Sequence, residues 1–525
     1  MTAEDQAVTR RAGVVAIFTM MSRVLGFVRD AVIMSYFAGQ GSDVFSVAFQ
    51  IPNTLRRLTA EGALAIAYVP VFTSTLAREG RDAARRLMSA MNGAALIGLV
   101  VLTLAGMTAA RYVALGGGYG FLATPGKLDQ TITLLRYFFP YLLLISMTAL
   151  AGSALNSCKR FFAPSFSPVL LNLAMIGSIV ALAEPLYRRG VPSIFSTAPG
   201  VLLGGVLQLG LQLYYLKKER LLAWPSFHFR HPGVIQVLTL TGPMVLGLAA
   251  YQIMIYIASL FASLLPEGTA TYLYNGSRLV ELPQAVFGMA IATASLPTLS
   301  RLEAENDREG VKRIYMHSLS LALYITLAAA VAYIVLAKPI VVVLYQRGAF
   351  VPRMTQANAE TLAAMALQIG AVTVVRQTVQ VFYALKDTRT PVKASFAALV
   401  AYVIFALPMM YPLKHVGLAL AMTLAATAQA VFLFIALRMR LGRLGIKKLL
   451  GRSVKWLVAT TLMALTSWGV SFLGSWGEGG NSIRNIAVLL LAVAAGMAVF
   501  LASSRVLRIP ELLDLKEAVL HRGKK

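Results

Sequence analysis

A single cysteine, Cys158, stands among 525 residues. No disulfide can form within the chain, and no cysteine-rich metal site can be built. Histidine is also scarce: the five, at 228, 231, 317, 415 and 521, are scattered, which argues against a zinc site. Acids are outnumbered, 22 against 48 Lys and Arg, for a net charge of +26. No GxxxxGK[ST] motif occurs, so ATP hydrolysis on this chain is not expected. GGGYG at 116–120 lacks the strand–helix context of a dinucleotide site and reads as a flexible outer loop. No connection between apolar runs is long enough for a soluble catalytic or nucleotide-binding domain. The start, MTAEDQ, is acidic, and the first apolar segment is too long for a signal h-region, so a cleavable signal peptide is not expected.

What the chain has is apolar surface. It is 58% hydrophobic and only 13% charged, with mean hydropathy +0.70. Apolar runs recur to the C-terminus, and each is long enough to span a bilayer as a helix. A transmembrane β-barrel would show short alternating segments instead. The sequence predicts an all-α polytopic membrane protein with about 14 transmembrane helices. They lie near 12–37, 44–77, 88–110, 131–157, 163–183, 197–216, 234–264, 270–300, 314–337, 356–385, 391–411, 416–437, 455–474 and 485–504. The second, eighth and tenth exceed the minimum length, so they protrude or bend. Pro52, Pro70, Pro283 and Pro297 are candidate bends. With the N-terminus inside, inner segments hold 32 of the Lys and Arg residues and outer loops 9. Both termini are therefore expected in the cytoplasm. Membrane topology accounts for most of the positive charge, and no nucleic-acid partner is implied.

Seven basic residues fall within spans, and all are arginine: Arg23, Arg29, Arg56, Arg57, Arg136, Arg278 and Arg376. A charge at bilayer depth costs roughly 2.5–3.5 kcal/mol on insertion scales, so such residues face a cavity or a partner. Lysine would serve for simple snorkelling, whereas the planar guanidinium fork suits phosphate or carboxylate. The stretch 20–62 concentrates them, with Arg23, Arg29, Asp30, Asp43, Arg56, Arg57 and Glu61. Arg23 and Asp30 share a helix face two turns apart. Arg57 and Glu61 are spaced i,i+4, and Arg278 and Glu281 i,i+3 before Pro283. Arginines of spans 1, 2 and 8, partly neutralised by Asp30, Glu61 and Glu281, would suit a polyanionic headgroup in a cavity between two lobes. Alternatively, each arginine staples helices through a local acid.

The chain also echoes itself. AYVPVFTSTLAREGRDAARRLMS (67–89) resembles ASLPTLSRLEAENDREGVKRIYMHS (294–318), pairing Pro70 with Pro297. ALNSCKRFFAP (154–164) resembles ALKDTRTP (384–391). Both echoes link spans six apart, which gives a parallel repeat and suggests alternating access between two lobes. The expected division is 1–232 for spans 1–6, 233–440 for spans 7–12, and 441–525 for two extra helices and a cytoplasmic tail.

Five motifs carry a family resemblance: MSRVLGFVRD (21–30), SDVFSVAFQIPNTLRRLTAEGA (42–63), SRLVELPQAVFGMAIATASLPTLS (277–300), LYQRGAF (344–350) and FYALKDTRTPVK (382–393). The chain resembles the MurJ/MviN family, lipid II flippases of peptidoglycan synthesis in the superfamily of the MATE exporters. The resemblance implies a MATE-like, V-shaped pair of lobes, with spans 13 and 14 forming a groove for a polyprenyl tail. It also implies that Arg23, Arg29, Asp43, Arg56, Glu61 and Arg278 matter for transport, and that Asp30 holds neighbouring arginines. Arg57 and Glu281 join as supporting polar groups. The chain departs from some relatives in one respect: 234–264 and 391–411 contain no Asp or Glu, so a sodium site there is not expected and transport without sodium is.

The expected function is a transporter, not an enzyme. It would move lipid II from the inner to the outer leaflet of the bacterial cytoplasmic membrane, with Arg23, Arg29, Arg56 and Arg278 on its pyrophosphate. No cofactor or metal is expected. The partners are lipid II, membrane lipids and other cell-wall synthesis proteins. The rivals are a related polysaccharide-lipid flippase, a MATE-type exporter and a polyprenyl-phosphate transferase. A cation exporter should have an acidic cavity, which this sequence lacks. A transferase needs an acidic metal site, and the acid-rich EAENDREG (303–310) is interleaved with bases and reads as a solvated turn.

Overall fold

The computed structural model of the protein describes residues 3–56, 63–228, 230–477 and 480–520. Among them there are helices and connections, with no strand. Nine helices among the described residues are long and apolar enough to cross a membrane. The chain forms two compact units, Met1–Ala270 and Thr271–Lys525. The division falls after the expected boundary at 232, because the helix Pro232–Ser263 packs against helices of the first unit.

The first unit contains α1 (Ala3–Phe37), α2 (Gln40–Arg56), α3 (Ala63–Arg78), α4 (Gly80–Thr108), α5 (Ala110–Gly118), α6 (Lys127–Ser157), α7 (Phe162–Arg188), α8 (Thr197–Lys218) and α9 (Pro232–Ser263). In lipid, helices gain no hydrophobic drive toward one another, so close backbone approach and van der Waals contact take over. The α7–α8 pair follows that rule. A Cβ on Gly200 would sit 2.7 Å from Met175 Cα, and one on Gly204 would sit 3.0 Å from Leu171 Cα. This Gly-x-x-x-Gly spacing lets α8 lie directly on α7. α1 packs on the other side of α7, and α2 packs on α6. Tyr68, Phe72, Leu87, Met91, Leu155 and Leu216 form an apolar cluster that joins α3, α4, α6 and α8.

The second unit contains α10 (Thr269–Pro283), a π-helical segment (Gln284–Met289), α11 (Ala290–Ala304), α12 (Arg308–Val335), α13 (Ala337–Tyr345), α14 (Pro352–Ala366), α15 (Gln368–Ala384), α16 (Arg389–Leu441), α17 (Ile446–Ser471), α18 (Ile483–Val506) and α19 (Pro510–Leu520). Asp307 caps α12 by accepting the amide of Gly310 at 2.8 Å. The 53 residues of α16 hold two of the predicted spans, separated by a kink at Lys414, whose φ is +50°. Of the four candidate bends, Pro52, Pro70 and Pro297 lie inside continuous helices, and only Pro283 adjoins a change of helix type. The α17–α18 hairpin is tight: a Cβ on Gly496 would fall 2.1 Å from Ser467 Oγ.

Candidate functional site

α1 carries the most concentrated buried charge among the described residues. Arg29 is 4% exposed and Asp30 is fully buried. One oxygen of Asp30 accepts both Nε at 3.0 Å and Nη2 at 2.6 Å from Arg29. The remaining arm, Nη1, donates to Asn172 Oδ1 on α7 at 3.1 Å. Asn172 in turn donates to the Ser22 carbonyl at 3.0 Å, which ties α7 back to α1. The guanidinium lies 5.9 Å from the ring centroid of Phe49 on α2. A charge removed from water needs both a counter-ion and satisfied hydrogens; here an acid supplies the charge and a neutral amide takes the third arm. Arg23 lies on the same helix, two turns before Asp30. It is half-buried, and no ion pair reaches it among the described residues.

Asp43 sits in the first turn of α2, 2% exposed, where an acid also suits the helix dipole. Its Oδ2 accepts Lys127 Nζ at 2.9 Å and the Gly268 amide at 2.8 Å. Lys127 begins α6 and stands 4.4 Å from the Phe121 ring centroid. Gly126, with φ +74°, makes the turn that aims Lys127 inward. Three elements thus meet on one carboxylate. Sequence reasoning counted Lys127 as an outer-loop charge and missed this role; only the glycine before it hinted at the turn. A cavity of about 520 Å³ opens beside it, lined by Tyr119, Phe121, Thr124, Pro266 and Glu267 among others.

In the second unit, Arg278 and Glu281 are half-buried on α10. After Pro283 the chain widens into the π-helical segment. Arg376 Nη1 on α15 donates to the Gln284 carbonyl at 3.1 Å, and Gln377 Nε2 donates to the Gly288 carbonyl at 3.1 Å. α15 therefore serves backbone oxygens of the π-helical stretch, where the α-helical ladder is interrupted and freed carbonyls inside a bilayer need partners. Arg136 lies exposed on α6. Arg56 ends α2, while its side chain, together with Arg57 and Glu61, lies outside the described residues.

The chain is similar to known proteins over most of its length. Residues 33–487 match the family model "Lipid II flippase MurJ". A probable lipid II flippase MurJ of Vibrio cholerae is 33% identical over 519 residues, which cover 96% of this chain and 97% of that one. A lipid II flippase MurJ of Burkholderia cenocepacia is 33% identical over 428 residues, 81% of this chain and 82% of that one. Among solved structures, a lipid II flippase MurJ in an inward closed conformation superposes with TM-score 0.76 at 23% identity, covering 94% of this chain and 98% of that one. An inward-facing MATE transporter of the MOP superfamily superposes with TM-score 0.66 at 18% identity, covering 82% of this chain and 98% of that one. The helical architecture is thus shared with MATE-type transporters, while the sequence match, extended over nearly the whole chain, makes this protein a member of the lipid II flippase MurJ family.

Proposed function

We propose that the protein is a transporter that moves lipid II across the bacterial cytoplasmic membrane, with alternating access as the mode and arginines as the ligands of the diphosphate. Family membership over most of the chain carries the first part. The buried Arg29–Asp30–Asn172 set supports the second. Arg29 holds two arms on an acid and one on a neutral amide. It can exchange Asn172 for a phosphate oxygen at Nη1 while Asp30 keeps the fork in place. Arg23, half-buried on the same helix, makes the first contact. Arg56 and Arg278 complete the ligand set, with Arg57, Glu61 and Glu281 tuning the local charge. Asp43 acts at a distance, by fixing the start of α2. Both termini face the cytoplasm, where other cell-wall synthesis proteins can meet them. A negative-inside potential would then favour outward movement of the anionic headgroup by about 2.3 kcal/mol per charge per 100 mV.

The test is transport of fluorescent lipid II across vesicles that contain the purified protein, read by accessibility to an external quencher, with depletion of the protein in cells in parallel. Vesicle transport above that of empty vesicles and accumulation of inner-leaflet lipid II on depletion are the expected results. Equal transport with and without protein would sink the reading.

A further inference from the structure

One buried acid has no part in the account so far. Glu511 lies in the first turn of α19, and its side chain is 2% exposed. Its Oε1 accepts the hydroxyl of Ser320 on α12 and faces Arg452 Nη1 of α17 at 3.3 Å. Its Oε2 accepts the indole N–H of Trp456, also on α17, at 3.2 Å. One carboxylate thus joins three helices that lie far apart in sequence. The surroundings reinforce the joint. Tyr324 of α12 donates to Ser504 Oγ of α18 at 2.7 Å and stacks on Phe500 with centroids 5.0 Å apart. Lys455 donates to the Leu507 carbonyl at 3.1 Å. At the far end of the hairpin, the Gln346 side-chain amide donates to the Gly477 carbonyl at 2.5 Å.

The α17–α18 hairpin packs on the rest of the second unit chiefly through α12, α13 and α19, and it lies outside the six-span repeat. Apolar residues could cement α19 there at least as firmly, because a buried ion pair seldom adds net stability over well-packed apolar groups. What a carboxylate with directed donors adds is a single register. We infer that Glu511 is a positioning residue for transport: it fixes the inner end of the hairpin to α12, so the two move as one body when the second unit changes conformation. The inference rests on the flippase reading above.

The experiment uses the full chain in vesicles with fluorescent lipid II. Glu511→Ala should raise the lipid II concentration for half-maximal transport at least fivefold, leave the maximal rate within twofold, and speed amide hydrogen exchange in 446–471. Glu511→Gln, whose one carbonyl oxygen can still accept the Trp456 N–H while its amide N–H donates to the Ser320 hydroxyl, should return half-saturation to within twofold of the parent. Trp456→Phe, which removes one donor and keeps the ring, should fall between. A Glu511→Ala protein that loses thermal stability but keeps both kinetic constants would overturn the inference and leave a structural staple. If Glu511→Ala does not accumulate, Trp456→Phe and Arg452→Gln decide, and parental half-saturation in both would overturn it. Should the parent itself fail to move lipid II, the flippase reading falls, while hydrogen exchange still reports whether Glu511 holds the hairpin.

Discussion

Asp30 and Asp43 are both buried in the first unit and both answer a base, yet they do so in different ways. Asp30 holds its own sequence neighbour: Arg29 turns back onto one carboxylate oxygen and leaves a third arm on the neutral Asn172. Asp43 holds Lys127 from another helix and a backbone amide from the connection before α10. The first arrangement is local, and its third arm ends on a neutral amide. The second closes loops of long sequence separation with a point charge and a fixed amide. One suits a ligand-exchanging site, the other a fastening. Perturbing each should separate binding from folding.

The largest effect belongs to the fastening. Asp43→Ala leaves Lys127 buried without its counter-ion, which costs about 3–5 kcal/mol. Thermal unfolding in detergent should drop sharply, and the level in membranes should fall with it. If the variant keeps its unfolding temperature and loses only transport, the division between the two acids fails.

Next comes Arg29→Lys. It keeps the charge and removes the fork, so one ammonium must replace contacts to both Asp30 and Asn172. Transport should fall at least tenfold at normal membrane levels, and Arg29→Ala should be worse. Full complementation of a flippase-depleted strain by a well-expressed Lys variant would reduce Arg29 to a field effect.

Asn172→Ala probes the exchangeable arm with a smaller change. The lost bonds should cost about 1 kcal/mol of stability. Freed of its competitor, Nη1 should bind lipid II as tightly as before or about threefold tighter, measured by titration of labelled lipid. A tenfold weakening would mean that Asn172 aims Arg29 and does not compete for it.

The smallest effect is expected at a third, wetter pair in the second unit. His415, at the α16 kink, has Nε2 3.5 Å from Glu360 Oε2, with side chains 16% and 47% exposed. Burial pushes the His415 pKa below its usual value, against the opposing pull of Glu360. A depressed histidine pKa means that the unfolded chain takes up the proton first. This contribution is present above about pH 6.5, the ordinary histidine value, and fades as pH falls from there through the folded-state value. Between pH 7.5 and 5 the parent should lose more thermal stability than His415→Gln, by a few degrees at most. Parallel curves would show that the pair is inert.

How far the sequence was legible follows the same division. The helical runs were readable, because bilayer length and apolarity mark them directly. The Arg29–Asp30 pair was readable as a local concentration of charge on one helix. Lys127 was not, since its inward aim depends on a turn at Gly126 and on a partner 84 residues away. Glu511 was hidden for the same reason, with Ser320 lying 191 residues before it. Charge counting also grouped arginines that differ in environment: Arg376 serves a backbone carbonyl, and Arg136 lies exposed. Periodicity gives a residue's face on its own helix, but not the neighbour across from it.

The π-helical segment at Gln284–Met289 has a consequence for how this stretch tolerates change in length. A π turn carries an extra residue relative to an α turn, so the stripes of α10 and α11 are out of phase by roughly 100°. Losing one residue here would let the backbone relax to plain α-helix, with Arg376 and Gln377 surrendering carbonyls that the straight helix would then satisfy itself. The same deletion in α12, which has no slack, would rotate everything beyond it off its packing face. The surplus residue works as an expansion joint in an otherwise close-fitted helix.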